Sequence, residues 1–305
     1  MTKKDMTAAN EEQLIERVVD FTLNRHPALM GIIRPFSDIL KEKARLKERF
    51  RHDPAWSNPD LASIYPQPVL TGMDFGPFRN HLKEAFDSMA AAVSLSIPVM
   101  SQPISEICDA AATGGIDITE LAGSYIKKGS EGFDAAASAG VPADCLDLIV
   151  RLALSAVLET IESSAAFFSE SIRGGGYCPL CGFPPSISYL DRAPENQSEF
   201  LKGGGGLKHL HCSLCGRNWQ TSRHVCPVCG TDDPDMRFYL RVEDIPGERV
   251  DICQKCNTYL PCIDLRIAGP IQHLETAALG MVHLDLLAQE KGYNPVTRTP
   301  WNKTA

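Results

Sequence analysis

The sequence predicts an α+β protein: an N-terminal all-α domain, two tandem metal-binding modules of rubredoxin-like or zinc-ribbon type, and a C-terminal helix. Three observations predict this order. Apolar residues recur at helical spacing through the first 173 positions, glycines interrupt the chain at residues 174–176, and eight of the eleven cysteines lie between residues 178 and 256. A length of 305 residues corresponds to about two domains.

The N-terminal half predicts six helices separated by proline or glycine. In the first helix, apolar residues recur from Leu14 to Leu23, Asn10 is the expected N-cap with Gln13 completing a loose capping box, and Pro27 ends the helix. The other helices are predicted at residues 36–50, 78–96, 104–112, 118–128 and 143–172. The last is the longest and most apolar, so we expect it at the centre of a helical bundle.

After the glycines the chain changes to short β-prone segments, such as residues 186–190 and 237–242. A polar stretch with four glycines at residues 203–206 predicts a mobile surface loop. Helical spacing returns at residues 270–291. We therefore expect four parts: a helical domain at 1–173, a first ribbon at 177–222, a second ribbon at 223–268, and a C-terminal helix and tail at 270–305.

The charge balance argues against a nucleic-acid partner. The chain has 30 Lys and Arg against 38 Asp and Glu, a formal charge of −8, and the cysteine-rich region 177–268 has 10 basic and 11 acidic residues. Nucleic-acid affinity rests on Lys and Arg that meet phosphates, so a basic footprint is missing.

The sequence also bears on location. The first residues lack the apolar core and cleavage site of a signal peptide, and Asp147 and Arg151 interrupt the most apolar run, so we expect no stable membrane insertion. An odd number of cysteines fits disulfides badly. We therefore expect a cytoplasmic protein, because in a reducing compartment clustered cysteines more often bind metal.

Four CxxC pairs carry the chemistry of this sequence. Two intervening residues allow a tight turn to direct both thiolates at one metal ion. The residue after each pair must adopt a left-handed conformation, and glycine or asparagine, the types that adopt it most easily, follows every pair. These residues are Gly182, Gly216, Gly230 and Asn257. Pro179 and Pro227 complete the CPxCG form of a zinc or rubredoxin turn.

An internal repeat suggests which pairs share a metal. Each half opens with CPxCG and closes with a second CxxC pair that an aromatic residue follows, Trp219 or Tyr259. We therefore expect one site at Cys178, Cys181, Cys212 and Cys215, and a second at Cys226, Cys229, Cys253 and Cys256. Crossed pairing between the halves is the main alternative.

The spacing favours two mononuclear tetrathiolate metal ions over other cysteine chemistry. A thioredoxin-like redox motif needs one pair at the start of a helix, and ferredoxin clusters need three closely spaced ligands. Iron and zinc both suit a tetrahedral set of four sulfurs, so the choice between them stays open. Iron would make the chain a rubredoxin-like redox protein, which is the alternative function.

The remaining cysteines, three histidines and a run of basic residues are weaker candidates for a functional site. We expect Cys108 and Cys145 to be small buried hydrophobes on helices. The role of Cys262, a spare or alternative ligand by its position after the fourth pair, stays open because no partner lies at ligand spacing. His209, His211 and His224 flank the ligand pairs and are expected beside the metal rather than on it. The basic run from Lys41 to Arg51 predicts a solvated helix face. No catalytic motif is present, so we expect a protein that is not an enzyme.

Four segments together resemble the FdhE family of formate dehydrogenase accessory proteins. They are CPLCGFP at residues 178–184, LHCSLCGRNW at 210–219, RHVCPVCG at 223–230 and CQKCNTYL at 253–260. The segment LDLLAQEKGYNP at residues 284–295 looks like the closing helix and tail of that family.

The resemblance implies a cytoplasmic protein that helps to mature respiratory formate dehydrogenase. It would bind the molybdenum-containing catalytic subunit before export and would not remain in the finished enzyme. It also implies a helical N-terminal domain, rubredoxin-like modules, and a metal-ligand role for the eight cysteines of the CxxC pairs. Cys262 lies outside the family pattern, and no catalytic residue is implied.

Overall fold

A computed structural model describes residues 7–51, 53, 68–133, 140–164, 175–191, 206–243, 245–268 and 273–302. The chain divides into two compact units. The first comprises Met1–Phe167 with the short segments Leu180–Gly182 and Leu214–Gly216, and the second comprises Phe168–Pro179, Phe183–Ser213 and Arg217–Ala305. The predicted α+β class is confirmed, because the described helices up to residue 164 lie in the first unit and the described strands lie in the second.

Six α-helices make up most of the described part of the first unit. They are α1 (Ala8–Arg25), α2 (Met30–Arg51), α3 (Arg79–Ser96), α4 (Ser101–Ala112), α5 (Ile118–Lys128) and α6 (Ala143–Ser164). Five begin within three residues of their predicted starts, whereas α2 begins six residues early and contains Pro35. Helices α2 and α6 are equally long, at 22 residues each. Residues 165–172 of the last predicted helix and residue 174 of the predicted break lie outside the described residues.

The N-cap of α1 is Thr7 rather than the predicted Asn10. The Thr7 side chain accepts a hydrogen bond from the backbone N–H of Asn10 at 3.4 Å, which places Asn10 inside the first turn. The helix ends at Arg25, and its C-cap His26 precedes Pro27, as the proline predicts.

The apolar face of α6 contributes much of the core of the first unit. Buried side chains recur along its length, including Leu146, Ile149, Ala153, Val157 and Ile161. Helices α2 and α3 pack against it. The most apolar predicted helix therefore supplies a large share of the buried surface, as its composition indicates.

The basic run of α2 is only partly solvated, which corrects the expectation of an exposed face. Lys43 is 1% exposed and its ammonium lies 2.9 Å from the carboxylate of Glu159 on α6. Lys47 lies 2.8 Å from the other oxygen of Glu159 and also binds Glu11 on α1. Although burial alone would raise the pKa of the Glu159 carboxyl, the two lysines hold it well below its usual value. Buried opposite charges therefore join three helices.

The second unit contains a seven-stranded sheet in its described part. Its strands are β1 (Pro185–Leu190), β2 (Lys208–Cys212), β3 (Asn218–Thr221), β4 (Arg237–Leu240), β5 (Glu248–Cys253), β6 (Thr258–Asp264) and β7 (Asn294–Pro295). The strand order is β3-β2-β1-β6-β5-β4, and β7 also pairs with β6. The pairs β1–β6 and β6–β7 are parallel, and the others are antiparallel.

The strands of the two predicted ribbons form this one sheet. Ser188 of β1 pairs with Cys262 of β6, and the Ser188 hydroxyl donates a hydrogen bond to the Pro261 carbonyl at 3.2 Å. Ile187 and Ile263 are buried in one hydrophobic cluster. The tandem ribbons are therefore joined edge to edge by backbone pairing and share a core. Residues 203–205 of the predicted glycine loop lie outside the described residues.

The predicted C-terminal helix is broken into two. After a short helix α7 (Leu265–Ala268), helices α8 (Leu274–Gly280) and α9 (Val282–Glu290) are separated by Met281. Ala278, Met281, Leu284 and Ala288 pack in the buried cluster of the sheet, as their spacing predicts. In the part of the chain that the structure describes, no helix has the length and apolar character needed to cross a bilayer.

Candidate metal centres

The residue after each CxxC pair has the left-handed backbone that the sequence predicts. The φ angle is 81° at Gly182, 65° at Gly216, 71° at Gly230 and 55° at Asn257. Asn257 is the one non-glycine residue with positive φ among the described residues. All four turns therefore have the conformation that lets backbone amides approach sulfur.

The four turns share one backbone bond pattern. The N–H of the first cysteine donates to the carbonyl five residues later in three turns: Cys178 to Phe183 at 2.9 Å, Cys212 to Arg217 at 2.9 Å, and Cys226 to Thr231 at 2.8 Å. In the fourth turn, Cys253 and Thr258 occupy the same positions and pair across strands β5 and β6. The Cys212 and Cys253 turns connect the antiparallel strands β2 with β3 and β5 with β6.

The structure brings the eight cysteines together in two groups of four. The sulfurs in each group lie within 4.8 Å of one another. The first group consists of Cys178, Cys181, Cys212 and Cys215, and the second of Cys226, Cys229, Cys253 and Cys256. The groups coincide with the sequential assignment, and no crossed group occurs among the described residues.

Sulfur distances in the second group fit a tetrahedral metal. The Sγ atoms of Cys226 and Cys256 are 3.7 Å apart, as are those of Cys229 and Cys253. A metal bound to four sulfurs at about 2.3 Å requires an edge of about 3.8 Å, whereas a disulfide bond is about 2.05 Å long. None of the eleven cysteines, all of which lie among the described residues, forms a disulfide bond. The second group therefore has the dimensions of an M(Cys)4 site.

The surroundings of the second group lower the pKa of one thiol and raise the pKa of another. Burial opposes ionisation of Cys229, but the backbone N–H of Thr231 and the neighbouring thiols lower its pKa to about 7. Burial and competition from Cys253 and Cys226 raise the pKa of Cys256 to about 12, against a hydrogen bond from the Thr258 hydroxyl at 3.0 Å. Four thiolates this close require a positive ion between them.

The two groups differ in their exposure to solvent. All four cysteines of the first group are buried. In the second group Cys226 and Cys253 are buried, whereas Cys229 and Cys256 are partly exposed. A metal in the second group would thus be closer to solvent and to an approaching partner.

The other predicted residues lie outside both groups. Cys262 is fully buried on β6, where burial raises the pKa of its thiol to about 11. Cys108 and Cys145 are partly exposed, which corrects the expectation that both are buried. The three histidines are not in either group; the rings of His209 and Tyr189 stack, and His211 contacts the Asn218 side chain at 2.7 Å.

Sequence reasoning missed one polar group at the metal centre and identified the two aromatics. The Thr258 hydroxyl beside the Cys256 sulfur was not singled out, although its position two residues after a ligand was a signal. Trp219 and Tyr259, the aromatic residues of the repeat, are both 1% exposed. Their burial shows that the repeat includes packing positions as well as ligands.

The protein-family model "FdhE, central domain" matches residues 177–223. Among curated proteins, the chain is 32% identical over 160 residues to "Protein FdhE homolog" of Aquifex aeolicus (strain VF5), which covers 52% of this chain and 53% of that protein. The homolog of Shewanella baltica (strain OS223) is 28% identical over 123 residues, covering 40% and 37%. The chain thus spans about half, or less, of these relatives' length in the alignments.

Among solved structures, the chain is similar to the crystal structure of the FdhE protein from Pseudomonas aeruginosa. The TM-score is 0.56 at 21% sequence identity, and the match covers 96% of each chain. At this identity the structural match establishes a common fold. With the central-domain match and the curated relatives, it confirms the resemblance to the FdhE family that the cysteine motifs predict.

Proposed function

We propose that this FdhE-like chain is an accessory protein for the maturation of respiratory formate dehydrogenase. In this proposal it acts in the cytoplasm by binding the catalytic subunit before export, and it is not an enzyme. The observation that carries the proposal is the pair of four-cysteine groups, the first of which lies within a match to the FdhE central domain.

The geometry of the cysteine groups favours binding over catalysis. Four protein sulfurs complete a tetrahedral metal site, whereas catalytic zinc keeps one position open for water or substrate. Metal ions held by these eight cysteines would supply cross-links between CxxC turns. Structural zinc contributes an apparent ~10–16 kcal/mol in small peptides, which is large compared with the core of short hairpins. We therefore expect each metal to order the surface around it.

The proposal is tested by deleting the gene in its own organism and measuring formate oxidation by the respiratory enzyme. We expect activity to be lost and to return when the wild-type gene is supplied. The matched control supplies the Cys262→Ser variant, which changes a buried cysteine outside both groups. We expect this variant to restore activity, whereas a variant lacking Cys226 and Cys253 fails.

A binding measurement separates a direct role from an indirect one. The purified chain is immobilised and exposed to the purified catalytic subunit that lacks its molybdenum cofactor. We expect saturable binding by the wild-type chain. Absence of binding, together with normal formate oxidation in the deletion strain, would contradict the proposed function.

A second candidate function is electron transfer by ferric ions in the cysteine groups, as in rubredoxins. The observation that favours it is the partial exposure of Cys229 and Cys256, because an exposed sulfur shortens the path to a redox partner. Protein purified without air would then show visible absorption that bleaches reversibly on reduction. A colourless protein with two zinc ions would end this candidate.

A further inference from the structure

The outer edge of strand β4 has backbone groups directed away from the sheet. β4 is the last strand in the order and pairs with β5 alone among the described strands. The Met236 carbonyl accepts a hydrogen bond from the N–H of Gln254, so the backbone groups of residues 236, 238 and 240 point towards β5. Those of Arg237 and Tyr239 therefore point outwards. The Arg237 N–H bonds to the Pro234 carbonyl, which leaves the groups of Tyr239 outermost.

Apolar side chains accompany this edge on both faces of the sheet. Phe238 is 37% exposed and makes an edge-to-face contact with Tyr293, with ring centroids 6.0 Å apart. On the other face Tyr239 is 51% exposed, and the Arg249 guanidinium lies 5.1 Å from its ring centroid. Met236, two positions before Phe238, adds exposed apolar surface at the start of the strand. A strand added here would contact an aromatic ring on each face.

The opposite edge of the same sheet has a different surface. Strand β3 carries the polar residues Asn218, Gln220 and Thr221, and its aromatic residue Trp219 is 1% exposed. Exposed edges with apolar side chains readily pair with another chain, so soluble proteins usually make them polar or charged. β3 follows that rule and β4 departs from it.

We propose that the outer edge of β4 receives an extended segment of the client polypeptide, which adds to the sheet as a further strand. This inference rests on the proposed function, since it assigns a surface to the client. The outward backbone groups of Tyr239 select an extended chain over a helix, because a helix has no free backbone groups along its side.

Charges at the two ends of β4 define the segment further. Asp232, Asp233 and Asp235 are exposed at its start, and Arg241 is exposed just after its end. An antiparallel partner would thus carry a basic residue near the aspartates, apolar residues opposite Phe238, and an acidic residue opposite the arginine.

A second copy of this chain meets an obstacle in each of two antiparallel registers on this edge. Antiparallel pairing of two β4 strands centred on Tyr239 places Arg237 opposite Arg241, which sets like charges against each other. Pairing centred on Phe238 places Arg237 opposite Tyr239, but the Arg237 N–H already bonds to Pro234. The first of these registers therefore brings like charges together, and the second loses a hydrogen bond.

The test compares proline substitutions at the two edges. Tyr239→Pro removes the outward N–H of β4, and proline is tolerated on an edge strand where the N–H faces solvent. Gln220→Pro is the matched control, because the hydrogen bond from the Cys212 N–H to the Arg217 carbonyl and the β2–β3 register direct the Gln220 backbone outwards on β3. The probe is the purified catalytic subunit of formate dehydrogenase without its cofactor, and the readout is its dissociation constant.

We expect Tyr239→Pro to weaken binding by about tenfold or more and Gln220→Pro to change it by less than about twofold. Hydrogen exchange on the wild-type complex provides a measurement that does not depend on a variant. The amide of Tyr239 should become protected when the subunit binds, while that of Gln220 should not change.

The possible failures are distinguishable. Equal binding by Tyr239→Pro, with no protection of the Tyr239 amide, would overturn this inference and leave the proposed function in place. If the wild-type chain does not bind the subunit, the proposed function fails and this inference with it. A wild-type dimer that Tyr239→Pro converts to a monomer would overturn the client assignment in favour of a second copy.

Discussion

Asn257 shows how one residue can serve a metal turn and hold a distant segment. Its φ of 55° meets the requirement of the fourth CxxC turn, which glycine meets in the other three. In addition, its side-chain amide donates to the Gly292 carbonyl at 2.8 Å, and its own carbonyl accepts from the Asn294 N–H at 3.0 Å. Glycine could supply the conformation but not the side-chain bond, so asparagine links this turn to the C-terminal tail.

Two of the turn glycines should respond differently to the same substitution. Gly230→Ala places a side chain where nothing lies within 4 Å, so its cost is the left-handed backbone alone, about 1 kcal/mol. At Gly216 the added Cβ would also lie 3.1 Å from the partly buried Glu159 side chain. We expect Gly216→Ala to destabilise the metal-loaded protein at least twice as much in thermal unfolding. Equal losses of stability in the two variants would contradict a contribution from the contact between residue 216 and Glu159.

Asp285 should make stability depend on pH near neutrality. It is 1% exposed, and burial raises the pKa of its carboxyl to about 7, against hydrogen bonds from Tyr259 and Asn302. The folded state therefore retains this proton to higher pH than the unfolded chain, so stability falls as pH rises from about 4 to about 7.

The matched variant is Asp285→Asn, which has nearly the same shape and cannot ionise. We expect it to be more stable than the wild type at pH 8 and to lose most of this advantage at pH 5, as measured by denaturant unfolding at both values. A stability difference that is independent of pH would show that Asp285 does not titrate in this range.

At this scale the sequence predicts residues whose roles are local. The CxxC spacing and the residue that follows are enough to identify the turns, because the requirement lies within five positions. The burial of Lys43 was not predictable, since its counter-charge Glu159 lies 116 positions away. The sequence contained both residues but no sign that they meet.

Among elements, the contact of α2 with α6 depends on buried charges. Both oxygens of Glu159 bind lysines of α2, and removing one partner of a buried ion pair leaves the other charge without compensation. We expect Glu159→Gln to lower the unfolding free energy by about 3 kcal/mol. Glu12→Gln is the control, because it breaks a more exposed pair with Arg45 and should cost less than about 1 kcal/mol.

The ion pairs of Glu159 also predict how stability falls as the solution becomes acidic. Because the folded pKa of Glu159 is below its usual value of 4.5, the carboxylate stabilises the fold above that pH and loses this effect as pH falls. The Glu159→Gln variant should therefore show a shallower loss of stability between about pH 5 and pH 2. An unchanged acid limb would contradict the charge assignment.

Helices were more predictable than their ends and interruptions. Periodic apolar residues identified α1 to α6, because a face that packs on a core leaves a repeating pattern. The N-cap at Thr7 and the break at Met281 were missed, since several polar residues near a helix start can cap it, and α8 and α9 continue one apolar face across the break. Predicted strand residues 237–242 correspond to β4, which ends at Leu240.

At the level of the whole molecule, the strands of the two cysteine-rich modules form one sheet. Residues 188–190 of β1 pair with residues 262–264 of β6, and this pairing connects the modules. Nothing in the sequence indicates it, because parallel pairing between distant strands has no local signal. The sequence predicts the two modules, but only the structure shows that their strands form one sheet.

Because the two modules share one sheet, we expect the loss of metal from one cysteine group to destabilise strands of the other module as well. In Cys253→Ser, we expect one metal ion to be lost and hydrogen exchange to rise in β4, β5 and β6, and in β1 through its pairing with β6. The control Cys262→Ser changes a buried cysteine of the same sheet and should keep both metals. Exchange that rises in β4 and β5 alone would indicate that the modules are independent.

We propose that eight of the eleven cysteines hold two mononuclear metal ions in two separate groups. Native mass spectrometry of protein purified without air tests it most directly, with absorption spectra to identify the metal. We expect two iron or zinc ions per chain, and one ion when Cys178 and Cys212 are both replaced by serine. Disulfide-bonded protein without metal, or one polynuclear cluster, would contradict it.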